Sequence, residues 1–298
     1  MTGIKDRRRR ELAITVYGID GKAVCLNSAV LKAALRMKRA LPGRPDLCGR
    51  AVEKILGLVP VRLEIRLWNG EKLLFNAPSD LGNFLCDVDG IIIRDQYNAG
   101  SLAPHFGPGT GKSAGLAGKV VVDAGANIGL FSLYAAALGA KKVYAFEAVA
   151  ETYKILKRNL ALNGSPKVVK AVNIALGAES GSAEIMFNTL GEGSAMIDCG
   201  DPLVNRGITY TGRRRVKVAP LDGLVKGCVH FIKIDVEGYE KNVLLGAEGI
   251  IKKYKPVLSL AAYHRPADKK ALPEAVRGLR ADYKITLKTF AEDDFYCE

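Results

Sequence analysis

Two short stretches of this chain place glycines and carboxylates where a strand-to-helix turn would meet a ligand. The first is VVDAGANIGLF, Val121–Phe131, in which an apolar run reaches Asp123 and apolar residues resume after Gly129. Gly125 lets the backbone turn sharply beside a ligand. Ala126 and Asn127 are short enough for that ligand to approach closely, and Gly129 permits tight packing of the following helix. A second apolar run ends in Phe146, Glu147 and Ala148. Glu147 stands about 20 residues past the turn, where an acid can accept from both hydroxyls of a ribose. The competing ligand is NAD, whose turn prefers G-x-G-x-x-G. Here an acid heads the turn. It would repel a pyrophosphate but suits the ammonium of an aminoacyl sulfonium cofactor. The pattern favours S-adenosylmethionine.

The second stretch is FIKIDVEGYE, Phe231–Glu240. An apolar strand presents Asp235 and Glu237 at its carboxyl end. Gly238 allows the turn into a helix whose positive N-terminus suits Glu240. The bland alternative is helix capping by Asp235 beside a solvated Glu237. His264 lies at the end of the next apolar run, PVLSLAAYHRP. It is a candidate general base for removing a hydroxyl proton, with Asp235 orienting it or the substrate. A hydrogen-bonded structural histidine is the rival reading. No metal is expected. Magnesium between Asp235 and Glu237 is the alternative, and two clustered carboxylates are too few to require it. His105 falls in a glycine-rich loop, and His230 begins its strand at the opposite end from the cofactor. A third stretch, GPGTGKS at Gly107–Ser113, imitates a phosphate loop. Phe106 stands where its first glycine belongs, and the stretch precedes a strand instead of following one.

The elements that must hold these residues alternate. Apolar strands at 119–122, 142–146, 168–173, 230–234 and 256–263 are separated by helices at 129–138, 150–163, 239–252 and 267–280. Further strands are expected at 182–188, 214–219, 283–287 and 294–297. Such alternation predicts an α/β fold with a mostly parallel sheet covered by helices on both faces, binding ligands beyond the carboxyl ends of its strands. Val61–Phe75 reads as a hairpin turning at Asn69-Gly70. Residues 1–60 read as a mostly helical extension, with an amphipathic stretch at Ala29–Ala40, and residues 87–118 as loop apart from the apolar Ile91–Ile93. The polar residues Asn188, Glu192 and Ser194 and the run Arg213–Arg215 are candidates for a substrate wall.

The motifs VVDAGANIGLFSLYAAALGAKKVYAFEA, NIALG at Asn173–Gly177 and FIKIDVEGYEKNVLLGA resemble the FkbM family of methyltransferases, in order and interval as well as composition. The resemblance covers residues 61 to 290, most strongly 119 to 265. It implies a class I Rossmann-like methyltransferase domain over 61–298, with S-adenosylmethionine as methyl donor. Asp123, Gly125, Asn127 and Gly129 would then hold the methionine part and Glu147 the ribose. Ala175 and Leu176 would lie by the adenine, and Asp235 near the transferring methyl. Tyr97 matches a tyrosine upstream of the first motif. Many relatives carry a glutamate where Ala262 stands here. The acceptors the family implies are hydroxyls of sugars, glycolipids or other small natural products.

Composition sets the alternatives. The 298 residues are 48% hydrophobic, a globular proportion, and carry a net charge of +13. That charge, with the runs Arg7–Arg10 and Arg213–Arg215, makes an RNA ribose methyltransferase the first alternative. No RNA-binding module is recognisable, and the [DN]-P-P-[YF] tetrapeptide of amine methylation is replaced by Asp235-Val236-Glu237-Gly238. A cofactor-binding protein without catalysis is the second alternative. The six cysteines form no C-x-x-C pair and read as free thiols in a reducing compartment. No apolar run reaches a membrane span and no secretory leader is evident, so a cytoplasmic protein is expected.

Overall fold

The computed structural model describes residues 13–26, 54–67, 69–78, 81–97, 99, 115–187, 195–197, 212–289 and 292–298. The chain begins with β1 (Ala13–Gly18), β2 (Ala23–Leu26), β3 (Pro60–Arg66) and β4 (Lys72–Asn76), an antiparallel sheet in the order β2-β1-β3-β4. The hairpin expected over 61–75 is β3 and β4. The helical reading of residues 1–60 is corrected at 13–18 and 23–26, which are strands. Ile14 and Val16 alternate inward in β1 and pair with Ile65 and Leu63 of β3. This period-two pattern is strand chemistry. The pairing also carries the sheet across the expected boundary at residue 60. Ala29–Ala40 lies outside the described residues, as do Arg7–Arg10, His105 and the phosphate-loop imitation.

Helix α1 (Leu81–Val88) is followed by a π-helical turn, Asp89–Ile93, where a loop was expected. The turn is closed by Arg94 N–H donating to the Asp89 carbonyl at 2.9 Å and Gln96 N–H to that of Gly90 at 2.9 Å. It delivers Tyr97 to the end of the main sheet. The regular alternation follows: β5 (Val120–Ala124), α2 (Leu130–Ala137), β6 (Lys142–Phe146), α3 (Ala150–Leu162) and β7 (Val169–Val172). A small sheet then interrupts, made of β8 (Ala175–Leu176), β9 (Gly181–Phe187), β10 (Ala195–Ile197) and β11 (Gly212–Ala219) in the order β10-β9-β11-β8. The short helix α4 (Leu221–Leu224) leads to β12 (Phe231–Ile234), α5 (Glu240–Gly246), α6 (Glu248–Tyr254), β13 (Val257–Ala261), α7 (Asp268–Leu279), β14 (Ile285–Thr289) and β15 (Asp293–Cys297). One helix was expected over 239–252, but two form. The break at Ala247 is stabilised by the Asp222 carboxylate, which accepts from Gly249 N–H at 2.7 Å and Ile250 N–H at 2.9 Å and so caps α6 afresh.

The main sheet has the order β14-β15-β13-β12-β5-β6-β7. Its strands are parallel except β15, which runs antiparallel to both neighbours. This is the class I Rossmann-like arrangement, with the order reversing between β5 and β12. Both central strands are buried along almost their whole length, which explains their unbroken apolar runs. One face packs against α2, α3 and the N-terminal sheet, bringing Phe75, Leu63 and Ile65 into one core with Phe131, Tyr134 and Leu156. The other face is covered by residues of α4–α7 such as Leu221, Val243, Ile251 and Leu272. Among the described residues, no helix is long and apolar enough to cross a membrane.

Candidate functional site

The reversal point leaves a crevice where strand ends diverge, and a cavity of about 680 Å³ opens there. Its floor is the turn after β5. Gly125, Asn127 and Gly129 all have positive φ, at 78°, 48° and 96°. The glycine at 125 is required twice over: a Cβ there would also lie 1.9 Å from the Asp235 carbonyl oxygen. The turns after β5 and β12 therefore touch through backbone. Gly129 serves packing instead, because a Cβ would meet Leu156 of α3 at 2.5 Å.

At one end of the cavity stand Glu147, Ala148, Ala175 and Leu176, with Ala126 and Asn127 beside them. Glu147 accepts from Asn127 N–H at 2.9 Å and Val149 N–H at 2.8 Å, one on each carboxylate oxygen. Each oxygen retains a lone pair for a ligand hydroxyl. Burial pushes this carboxyl up to about 7, against those two bonds and Lys233. Ile185, Phe187 and Ile197 of the small sheet complete an apolar wall. Arg214 braces that wall: it pairs with Glu151 at 2.5 and 2.7 Å and lies over the Phe187 ring. Arg213 pairs instead with Glu184 at the surface. Asn188, Glu192 and Ser194 lie outside the described residues.

At the other end are Tyr97, Asp235, Glu237 and Tyr263. Asp235 accepts from Tyr97 Oη at 2.8 Å and from Tyr263 Oη at 3.3 Å. Burial would raise its pKa, but Lys233, His264 and the two phenols together hold it below the usual carboxylate range. Asp235 is an ionised carboxylate at the base of the cavity. Burial pushes Glu237 up, against the pull of His264.

Two expected roles change. Asp123 does not reach the cavity. Its side chain is fully buried, takes a 2.6 Å hydrogen bond from Ser132 Oγ and lies 3.2 Å from Lys233 Nζ. Its charge is answered inside the protein, so it cannot be the direct partner of a ligand ammonium. His264 is also withdrawn. Nδ1 lies 2.9 Å from Glu240 Oε1, while Nε2 lies 3.4 Å from Glu237 Oε2 and 3.6 Å from Asp235 Oδ1. Burial alone would lower its pKa, but Glu240, Glu237 and Asp235 raise it to about 10. Both ring nitrogens thus face carboxylates of the protein, and His264 is not among the residues that line the cavity. His230 does sit at the far end of its strand, where Nδ1 accepts from Val120 N–H at 3.1 Å.

Lys233 and Glu240 emerge as site residues that motif reading passed over. Lys233 is buried, donates to the Gly125 carbonyl at 2.7 Å, pairs with Asp123 and faces Asp235 at 3.8 Å. Its signal was a single charge inside the apolar strand FIKI. Glu240 was read as helix-dipole chemistry. Its Oε1 accepts from Val236 N–H at 3.0 Å and Gly238 N–H at 3.1 Å while facing His264, which ties the β12 turn together.

The chain is similar to several known proteins. The chain is 31% identical over 157 residues to Methyltransferase sdnD of Sordaria araneosa, a match covering 43% of this chain and 60% of that protein. Among solved structures, a methyltransferase FkbM from Methylobacillus flagellatus KT is 21% identical over 68% of this chain and 48% of its own, with a TM-score of 0.48. A putative rRNA-methylase from Clostridium thermocellum is 11% identical over 61% of this chain and 86% of its own, with a TM-score of 0.39. The chain thus spans about 60% of the curated relative and about half of the first structure. The Methyltransferase FkbM domain model matches residues 123–285, a segment running from the end of β5 through both carboxylate-bearing turns to β14. With more than half of its length matched to that model, this chain belongs to the FkbM methyltransferase family.

Proposed function

We propose that this chain binds S-adenosylmethionine and methylates a hydroxyl of a neutral, polyhydroxylated acceptor such as a sugar, glycolipid or other small natural product. The observation that carries this reading is the single cavity joining the Glu147 end to the Asp235–Glu237 end. Support for the cofactor comes from Glu147, which lines the cavity beside the glycine turn and keeps a lone pair on each carboxylate oxygen for a ligand hydroxyl. When bound, S-adenosylmethionine supplies an electrophilic methyl group. Glu147 would take the ribose hydroxyls, and Ala175 and Leu176 would pack on the adenine. The ionised Asp235 would face the sulfonium. Glu237 would take the proton that the acceptor hydroxyl loses as its oxygen gains the methyl group. Asp235 is already engaged by two phenols, whereas Glu237 lines the cavity beside it.

The sign of the cavity argues against an anionic acceptor. Its described walls carry the acids Glu147, Asp235 and Glu237, while Glu151 is paired with Arg214 and Lys233 with Asp123. A phosphodiester would meet this field unfavourably despite the net charge of +13. Calorimetric titration with S-adenosylhomocysteine, comparing wild type with Glu147→Ala, tests the cofactor. Binding that weakens in the variant supports the reading, and no binding by folded wild type removes it. A methyl-transfer screen of neutral glycosides against sugar phosphates and RNA tests the acceptor class.

A further inference from the structure

We propose that Glu240 and His264, neither of which lines the cavity, form a positioning pair for the Glu237 carboxylate that does. The proposal rests on the reading of Glu237 as the group that takes the acceptor's proton.

Glu237 is held from both ends. Its φ of 55° lies in the left-handed region, which a residue with a Cβ rarely adopts. Glu240 Oε1 accepts from the N–H groups on either side of it, Val236 at 3.0 Å and Gly238 at 3.1 Å, and so fixes that turn. The same oxygen faces His264 Nδ1 at 2.9 Å. The other ring nitrogen reaches the far end of Glu237: Nε2 lies 3.4 Å from Oε2, and 3.6 Å from Asp235 Oδ1. The imidazole also packs on the Tyr263 ring, with 4.1 Å between centroids. One buried acid thus sets the backbone of Glu237 directly and its carboxylate through the ring. Capping of α5 would account for the backbone bonds alone. It leaves the buried imidazole, and its aim at Glu237, without a reason.

Charge gives the arrangement its chemical meaning. Burial pushes Glu237 up to about 8, His264 pulls it down, and Asp235, Glu240 from α5 and Glu292 ahead of β15 add to the rise. Asp268 at the start of α7 and Asp294 of β15 also face the imidazolium. Tyr263 donates to Asp235, and Lys233 is committed to Asp123 and the Gly125 carbonyl. Without the pull of His264, Glu237 would stay protonated and could take nothing from the acceptor. With it, the carboxyl titrates near the range where a base works. The proton lost by the acceptor oxygen goes to Glu237, while His264 keeps its own and moves none.

The experiment uses the full-length chain with labelled glutamate and histidine, followed by nuclear magnetic resonance across pH. The same samples are titrated with S-adenosylhomocysteine. In wild type, the carboxyl signal missing from Glu237→Gln should titrate above the ordinary glutamate range. In His264→Gln, which keeps a polar side chain without the charge, that midpoint should rise by about one pH unit or more, with S-adenosylhomocysteine binding retained. Glu240→Gln should lower the His264 midpoint by about one pH unit or more. A merely structural pair would change the melting temperature and leave both midpoints where they are, and either midpoint unmoved in a folded variant overturns the proposal. Wild type that binds S-adenosylhomocysteine while the Glu237 midpoint ignores His264 overturns the pairing and leaves the cofactor reading standing. Moved midpoints without S-adenosylhomocysteine binding do the reverse. Should the variants not fold, the wild-type imidazoles decide. The chain has three histidines. One must stay charged well above the ordinary histidine range; three that all lose their proton within it overturn the pairing.

Discussion

Glu147 and Glu237 are chemically identical residues given different work by their surroundings. Glu147 receives two backbone donors, yet burial raises its pKa to about 7. In the free protein this group contributes stability below the ordinary carboxylate range, and that contribution is lost as pH rises through about 7. Ligand hydroxyls reverse the preference, because they donate to the ionised form. Affinity for S-adenosylhomocysteine should therefore fall as pH drops below 7, by up to about tenfold per pH unit. Glu147→Gln should bind more weakly at neutral pH and show a flatter profile, read by calorimetry across the same range. For Glu237, the expected result of Glu237→Gln is a kcat lowered by about 10²–10⁴-fold with S-adenosylhomocysteine binding retained. Equal loss of cofactor binding would instead assign Glu237 to holding the site together.

Among the elements, the turns after β5 and β12 behave as one unit. Each is short, each ends a buried strand, and they meet where Gly125 faces the Asp235 carbonyl. Lys233 crosses between them by donating to Gly125 and pairing with Asp123. Gly125→Ala should be severe. The left-handed conformation alone costs about 1–2 kcal/mol, and contact with a backbone oxygen cannot be relieved by rotating a side chain. Loss of ligand binding with a lowered melting temperature is expected. Gly278, inside α7, is the contrasting case: a Cβ there meets nothing within 4 Å. Gly278→Ala should stabilise the fold by about 0.5–1 kcal/mol in urea denaturation. A neutral Gly125→Ala would show that the two turns can separate without consequence.

Across the whole molecule, the N-terminal sheet and the cofactor turn share one fastening. Asn159 of α3 is fully buried. Its Oδ1 accepts from Asn76 N–H and Asn76 Nδ2, both at 3.0 Å, and its Nδ2 donates to the Ile128 carbonyl at 2.9 Å. One side chain thus links β4, α3 and the turn below the cavity. Asn159→Ala would leave several polar groups without partners, at about 1–3 kcal/mol for each that stays buried. A total loss of about 2–4 kcal/mol is expected in urea denaturation, accompanied by weaker S-adenosylhomocysteine binding. Loss of stability without any change in binding would show that the N-terminal sheet is only a cover.

Much of this architecture is local enough to read along the chain. Runs such as VVV and FIKI mark strands buried on both faces, and glycine after an acid marks the turn into a helix. Those patterns place the α/β fold, the β5 turn, Glu147 and the Asp235–Glu237 pair. The strands at 13–26 are in part legible, since β1 and β2 form a short hairpin turning at Asp20-Gly21, but β1 is also held by β3, more than forty residues away. The chemistry of individual groups escapes for the same physical reason. Asp123 looks like a ligand residue in its motif, and His264 looks like a base in its own. Protonation and pairing depend on distances across neighbouring strands, and in sequence Lys233 is far from Asp123, as Glu240 is from His264. Local sequence thus determines where carboxylates and glycines stand at the strand ends. Only the folded sheet decides which of them face the cavity and which neutralise one another behind it, because electrostatic interaction follows separation in space.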